Sequence, residues 1–207
     1  MEAAVRTLEN YMFTFKEKSG GKRLASMYTE AIDALGTILN FVLSVDVTND
    51  HQVCLPLLLL CASFLESEGM HIRAAALYIK AGDCLFAGGH FREALKCFLE
   101  GYQKASSTPS RTGKLFASIA LLMAAVTALK LGGLSFFSYT IKSARKSVNK
   151  KTWSSIRRTK YYAFLRYLHS LLSSRPSSER FPITLQISDE FSNLAIGRFI
   201  KELLGVY

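Results

Sequence analysis

The sequence predicts an all-α fold, and three of its features carry that prediction. Apolar residues recur at helical spacing along almost the whole chain of 207 residues. Proline occurs only 4 times, whereas leucine, alanine and lysine, which favour helix, are plentiful. Hydrophobic residues make up 49% of the chain and charged residues 20%, so the helices can bury a core. Together these features predict one domain of about nine helices, stacked as antiparallel hairpins.

Glycines and short polar runs divide the helical pattern into segments, because both tend to end helices. In chain order the breaks lie at Gly20-Gly21, residues 46–50, Gly69, Gly88-Gly89, residues 106–110 and Gly132-Gly133. The helices predicted between them cover residues 2–18, 22–45, 51–68, 71–87, 90–105, 112–131, 134–148 and 152–172. A last helix is predicted from Ser188, a good N-cap residue, with Asp189 and Glu190 complementing the dipole of its first turn.

One segment has the composition of a linker. Residues 173–187 are rich in serine and contain Pro176 and Pro182, which interrupt the helical pattern. The chain is therefore divided into a helical array at residues 1–172, a linker at residues 173–187, and a C-terminal helix at residues 188–207 that packs on the array.

A pattern of small and bulky residues surrounds Gly89. Its members are Tyr78, Ala81, Gly82, Leu85, Gly89, Phe91, Ala94, Phe98 and Gly101. Small residues at positions 82 and 94 let two antiparallel helices approach, the bulky residues interdigitate around them, and Gly89 forms the corner. A second, overlapping set of the same kind surrounds Gly69.

These positions resemble the repeat of the tetratricopeptide family, best over residues 75–105 and less closely over residues 55–81. The irregular spacing of the corners is more similar to that of the soluble NSF attachment proteins than to tandem repeats of 34 residues. The resemblance implies an α-solenoid whose groove binds proteins, in a role connected with membrane traffic. Some members clamp a carboxylate with a lysine and an asparagine. Ile79 and Asp83 stand at the corresponding positions here, so that mode of binding is not predicted.

The charge of the chain is distributed unevenly. The net charge is +10, yet residues 101–178 contain fourteen lysines and arginines and no aspartate or glutamate. Such asymmetry favours an acidic partner. Eight of these cations fall near a predicted corner and form the candidate partner-binding patch: Lys142, Arg145, Lys146, Lys150, Lys151, Arg157, Arg158 and Lys160.

Three interpretations of this patch remain open at the level of sequence. The patch docks an acidic protein, binds nucleic acid or an anionic lipid surface, or is a solvated face without a partner. The nucleic-acid alternative rests on aromatic residues that interleave with the cations and could stack on bases. These aromatic residues are Trp153, Tyr161, Tyr162 and Tyr167.

The sequence lacks the motifs of a catalytic or cofactor site. The four histidines are far apart and form no HExxH motif, and no Gly-x-Ser-x-Gly motif is present. Gly20-Gly21-Lys22 lacks the spacing of a phosphate-binding loop. We therefore predict a non-enzyme with no cofactor, no metal and no small-molecule substrate.

Residues 115–141 carry a single charge, at Lys130, and are numerous enough to span a bilayer. Because Gly132-Gly133 interrupts this run, a buried helical hairpin is predicted and no transmembrane segment. Charged residues at positions 2, 6 and 9 argue against a signal peptide, and the four cysteines lack CxxC spacing. These features predict a cytoplasmic protein, with the nucleus as the alternative.

The sequence therefore predicts a non-catalytic adaptor or scaffold that works as a subunit of a larger complex. The alternative is a nucleic-acid-binding accessory factor that uses the basic span at residues 101–178.

Overall fold

The computed structural model describes residues 1–16, 21–44, 51–173, 190–191 and 193–204. The all-α prediction is confirmed, since these described residues form nine helices and no strand. The helices are α1 (Glu2–Lys16), α2 (Gly21–Ser44), α3 (His51–Ser67), α4 (His71–Ala87), α5 (Phe91–Ser107), α6 (Arg111–Lys146), α7 (Lys150–Ile156), α8 (Lys160–Leu172) and α9 (Ala195–Leu204).

Two tight turns of the same kind connect α3 to α4 and α4 to α5. Gly69 and Gly89 have φ angles of +71° and +79°, in the left-handed region that glycine adopts without strain. In the second turn the Gly89 N–H donates to the Phe86 carbonyl (3.1 Å) and the His90 N–H donates to the Leu85 carbonyl (2.8 Å). This is the Schellman pattern, which satisfies the last carbonyls of a helix and reverses the chain.

The contact between α4 and α5 is close because its central residues are small. A Cβ atom placed on Gly82 would lie 2.6 Å from Cε1 of Phe98, and one on Gly101 would lie 3.2 Å from the Ala75 carbonyl oxygen. Ala94 and Phe98 are fully buried in the same contact. The helices therefore approach closely enough for the Phe98 ring to lie against the backbone of α4.

The core has two apolar clusters, and α4 contributes to both. Ala74, Ala81 and Cys84 belong to a cluster shared with α1, α2 and α3. Leu85 and Phe86 belong to a cluster shared with α5, α6, α7, α8 and α9. Because residues of one helix face both clusters, α4 joins the two parts of the protein.

The structure confirms the predicted break at Gly132-Gly133 and corrects the next helix boundary. The backbone is not helical at Gly132 (φ −150°) and at Gly133 (φ +67°), so α6 consists of two helical segments on either side of a kink. By contrast, the predicted helix at residues 152–172 is two helices, α7 and α8. Thr159 Oγ1 accepts a hydrogen bond from the Tyr162 N–H (3.3 Å) and so begins α8.

Helix α6 is, in the described part of the chain, the one helix long and apolar enough to cross a membrane. Within its most apolar stretch, 61% of the residues are buried against the rest of the protein. Residues Ala124, Ala125 and Val126 are fully buried. Its apolar character is therefore used, in this fold, to fill the core.

We expect Gly82→Ala to lower the free energy of unfolding by about 1–3 kcal/mol, because the new methyl group would overlap the fully buried Phe98 ring. Gly36 is the matched control. It lies in α2, it is exposed, and a Cβ atom there would meet nothing within 4 Å. Gly36→Ala should stabilise the protein by about 0.5–1 kcal/mol. Urea unfolding followed by circular dichroism measures both, and equal effects of the two substitutions would contradict the close approach of α4 and α5.

Candidate interaction surface

The eight predicted cations, which we call the basic surface, lie on three consecutive helices. Lys142, Arg145 and Lys146 lie in the last turns of α6. Lys150 and Lys151 begin α7, and the remaining members, Arg157, Arg158 and Lys160, lie in the turn between α7 and α8 and at the start of α8. All eight residues are exposed. They thus lie on consecutive elements of the chain, none of which is α4 or α5.

Few carboxylates among the described residues neutralise the positive charge of the basic surface. Among the described residues, Lys160 alone of the eight has a carboxylate partner, Glu190. The same carboxylate accepts a hydrogen bond from the Tyr161 hydroxyl (3.0 Å). Glu190 is therefore bound to α8, whereas the sequence had placed it in the first turn of the last helix. The predicted N-cap, Ser188, lies outside the described residues.

The start of α7 is electrostatically unfavourable. Its first turn contains Lys150 and Lys151 and no acidic residue, although the dipole of a helix favours negative charge at this end. Asn149 Oδ1 caps the helix by accepting a hydrogen bond from the Thr152 N–H (2.8 Å). Because the cap satisfies the backbone without any cation, the stability of α7 does not explain the two lysines.

The aromatic residues between these cations face inward. Trp153 and Tyr161 are buried, and Tyr162 and Tyr167 are half-buried. The Trp153 and Tyr162 rings make an edge contact with their centroids 5.3 Å apart, and the rings of Tyr161 and Phe191 lie 5.7 Å apart. These side chains hold α7, α8 and the segment before α9 together. They do not form an exposed stacking platform.

The residues of the predicted repeat lie at the other helix pair. Gly82, Ala94 and Phe98 are buried between α4 and α5, and Gly89 forms the turn. Tyr78 is half-buried and donates a hydrogen bond to Glu66 Oε2 (3.3 Å). Phe91 is also half-buried, and its ring contacts that of Phe86 edge to face with centroids 5.0 Å apart. These residues shape the packing and are not grouped with the basic surface.

Asp83 has a role that sequence reasoning missed. It is buried on α4, with 6% of its surface exposed, and its carboxylate accepts hydrogen bonds from the backbone N–H groups of Ala195 (3.3 Å) and Ile196 (3.1 Å). Burial raises the pKa of this carboxyl group, while the two hydrogen bonds and the positive charges of Lys80 and Arg198 oppose that rise. A distant residue thus caps the first turn of α9.

Apolar contacts complete the attachment of α9. Ile196 and Ile200 are fully buried, and the Phe199 ring lies 5.9 Å from the Phe86 ring. Lys130 Nζ lies 4.7 Å from the centroid of Phe199, at the distance of a cation–π contact. An aspartate at position 83, among the small and apolar residues that end α4, was the sequence signal that could have pointed to a buried polar contact.

The four cysteines are thiols that form no disulfide with one another. Cys54, Cys61 and Cys84 are buried and Cys97 is half-buried. Burial raises the pKa of both Cys61 and Cys84 to about 12, so these thiols stay protonated near neutral pH. In the described part of the chain, no group of three or more His, Cys, Asp or Glu side chains is placed to hold a metal ion.

Comparison of the chain with protein-family models, with curated proteins and with solved structures finds no match. The class that the structure defines is therefore an all-helical protein. A more particular assignment has to rest on the surface and contacts described above.

We expect Asp83→Ala to loosen α9, because the Ala195 and Ile196 N–H groups would lose their acceptor. The cost should be about 1–2 kcal/mol, as for the loss of other helix caps. Hydrogen exchange followed by mass spectrometry should show faster exchange in α9 than in the wild type. Asp33→Ala, at an exposed position of α2, should leave that exchange unchanged, and similar protection of α9 in both variants would rule out the capping role.

Because the pKa of Cys61 is raised, we expect the free energy of unfolding to decrease at alkaline pH. An unfolded cysteine ionises near pH 8.5, below the pKa of about 12 in the fold, so the unfolded chain loses its proton first. The free energy of unfolding should therefore decrease as the pH rises above about 8.5. In urea titrations, the loss between about pH 7.5 and about pH 10 should be smaller for Cys61→Ala than for the wild type. Identical losses would mean that the thiol is not desolvated.

Proposed function

We propose that this chain is a non-catalytic adaptor or scaffold, a subunit of a larger complex, that docks an acidic protein on its basic surface. The observation that carries the proposal is eight exposed cations with, among the described residues, one carboxylate partner between them. Unneutralised charge of one sign repels itself, and a complementary surface on a partner would relieve that repulsion.

The helix packing supports the proposal that the chain binds other proteins. Glycine turns of the same geometry at Gly69 and Gly89, with small residues where α4 meets α5, are features of a helical array of the tetratricopeptide kind. We propose this α-solenoid arrangement for residues 1–172. Solenoids of helix pairs expose long surfaces to other proteins. From the resemblance of the corner spacing to that of the soluble NSF attachment proteins, we propose a role in membrane traffic and a cytoplasmic location, with the nucleus as the alternative.

The aromatic side chains favour a protein over nucleic acid as the partner. Binding of single strands uses exposed aromatic rings on which bases stack. Trp153 and Tyr161 are buried here. Binding of nucleic acid or anionic lipid through the span at residues 101–178 is kept as the alternative. Tyr139, with 65% of its surface exposed, is an aromatic side chain in that span on which a base could stack.

The proposal of a non-enzyme is supported by the state of the thiols. The pKa of Cys61 and that of Cys84 are both about 12, which is opposite to the shift that activates a nucleophile. We likewise propose that α6 is a core helix and not a membrane span, because most of its apolar stretch is covered by other helices.

Reversing the charge at the centre of the basic surface should abolish docking. In the variant Lys150→Glu, Lys151→Glu, Arg157→Glu, Arg158→Glu, we expect loss of the partner that the wild-type chain captures from a lysate treated with nuclease. Helical content by circular dichroism should be unchanged. Docking by the wild type should weaken steeply with salt, because exposed charges are screened within about 8 Å at physiological ionic strength.

A second fourfold variant provides a matched control. Arg73, Arg92, Lys96 and Arg111 are exposed and lie outside the basic surface, so replacing all four by glutamate changes the net charge equally. This control should retain the partner. The proposal fails if both variants lose the partner to the same degree, or if the captured material disappears on nuclease treatment. The second result would favour the nucleic-acid alternative, for which affinity falls log-linearly with salt.

A further inference from the structure

A recess of about 490 Å³ lies beside the basic surface, between the second half of α6 and α8. Its apolar floor includes Ile141, which is half-buried, and Leu165, which is buried. Lys142, a member of the basic surface, is exposed at its edge. The recess is therefore continuous with the surface that we propose for docking.

Polar groups of several kinds surround this floor. Ser138 comes from α6, and Tyr162 and His169 come from α8. Ser138 Oγ and His169 Nε2 are hydrogen-bonded at 3.0 Å, and the imidazole is held against the Phe137 ring with centroids 6.0 Å apart. The serine and the ring thus fix the orientation of the histidine in the recess.

Two further polar residues, Arg166 and Ser170, line the recess and each makes another interaction within the protein. The other polar side chains that line the recess, and that we expect a ligand to use, are Lys142, Tyr162 and the Ser138–His169 pair. Neither α6 nor α8 contains an aspartate or glutamate. The walls thus offer hydrogen-bond donors and positive charge, and no carboxylate that would repel an anion.

We propose that this recess binds a phosphate monoester carried by the partner protein, an inference that rests on the docking function proposed above. A phosphate monoester presents three strong acceptor oxygens and a charge close to −2. It can therefore use an ammonium group, a phenol and a hydroxyl–imidazole pair from different sides at once, which a planar carboxylate does less well. The volume exceeds that of a lone phosphate group and leaves room for the residue that carries it.

The structure supplies two reporters for a direct test on the full chain. Trp153 is the single tryptophan, and its ring contacts Tyr162 in the recess wall. The imidazole signals of His169 can be assigned by comparison with His169→Gln. Titration with inorganic phosphate should move the His169 signals saturably in NMR spectra and change Trp153 fluorescence over the same range. Sodium chloride at equal ionic strength should do neither.

Substitution of the rim cation separates a site from general charge attraction. Lys142→Gln should weaken phosphate binding about fivefold or more, since it removes a charge-assisted hydrogen bond. Lys96→Gln, an equal change of charge at an exposed position of α5, should have no effect. Absence of a saturable response at His169, or the same affinity in both variants, would overturn the phosphate site.

A second experiment measures the affinity of the captured partner before and after its phosphate groups are removed. Phosphatase treatment of the captured partner should reduce its affinity for the wild type about tenfold, and the same treatment should have a clearly smaller effect on the affinity for Lys142→Gln. Unchanged affinity after dephosphorylation would overturn the phosphate proposal while leaving charge-based docking intact. Loss of docking in both charge-reversed variants, with inorganic phosphate still bound, would instead overturn the docking function.

A phosphate monoester can belong to a lipid headgroup as well as to a partner protein, and binding to vesicles distinguishes these two sources. Vesicles of phosphatidylcholine containing about 5% phosphatidylinositol monophosphate should bind the chain no better than vesicles with equal charge supplied by phosphatidylserine. Preference for the phosphoinositide, lost in Lys142→Gln, would assign the recess to a lipid headgroup and contradict its assignment to a partner protein.

Discussion

The close approach of α4 and α5 is the contact on which the rest of the structure depends. The Phe98 ring lies where a Cβ atom of residue 82 would be, so the distance between the two helices is set by the absence of a side chain. α4 is also in contact with α3, α6 and α9. A change in its position would therefore be transmitted to both apolar clusters, because rigid, well-packed interiors do not absorb displacement locally.

The features that stabilise the fold and those proposed for function are largely separate. Packing is concentrated on α3 to α6, where small and aromatic residues interlock. The basic surface lies on the later part of α6, on α7 and at the start of α8, and it adds little to cohesion. At the first turn of α7 it works against stability, since Lys150 and Lys151 oppose the helix dipole. Residues that cost stability without supporting the fold are those for which an external partner is the natural explanation.

Local sequence signals were sufficient for the helices and for the turns at Gly69 and Gly89, because a glycine with positive φ is required there by backbone geometry alone. The same signal located the kink at Gly132-Gly133, where Gly133 also has a positive φ. Local signals were insufficient at Thr159, whose capping hydroxyl divides an uninterrupted apolar pattern. Hydrogen-bonding residues that break a helix are harder to recognise than glycine, since the same residues also occur within helices.

The candidate sites also differ in how far they could be predicted from the sequence. The cations of the basic surface could be named from the sequence because a run without acidic residues is visible in one dimension. The recess could not be predicted from the sequence, since it joins Ser138 to His169 across 31 positions. The cap of α9 could not be predicted either, because the acceptor for its first N–H groups lies on α4 and not in the turn that precedes the helix. Such pairings depend on the tertiary arrangement, which no local pattern specifies.

The hydrogen bonds of Asp83 have a consequence for how the protein is made. The carboxylate is synthesised 112 residues before the Ala195 N–H that it binds, a delay of roughly 6–20 s at usual rates of translation. During that interval α4 can pair with α3 and α5, but its acidic group faces the side that α9 will cover and can be hydrated only if that side stays open. The nascent chain would therefore complete its central hairpins early and close this flank after synthesis of α9, which leaves the flank accessible to a chaperone during that interval.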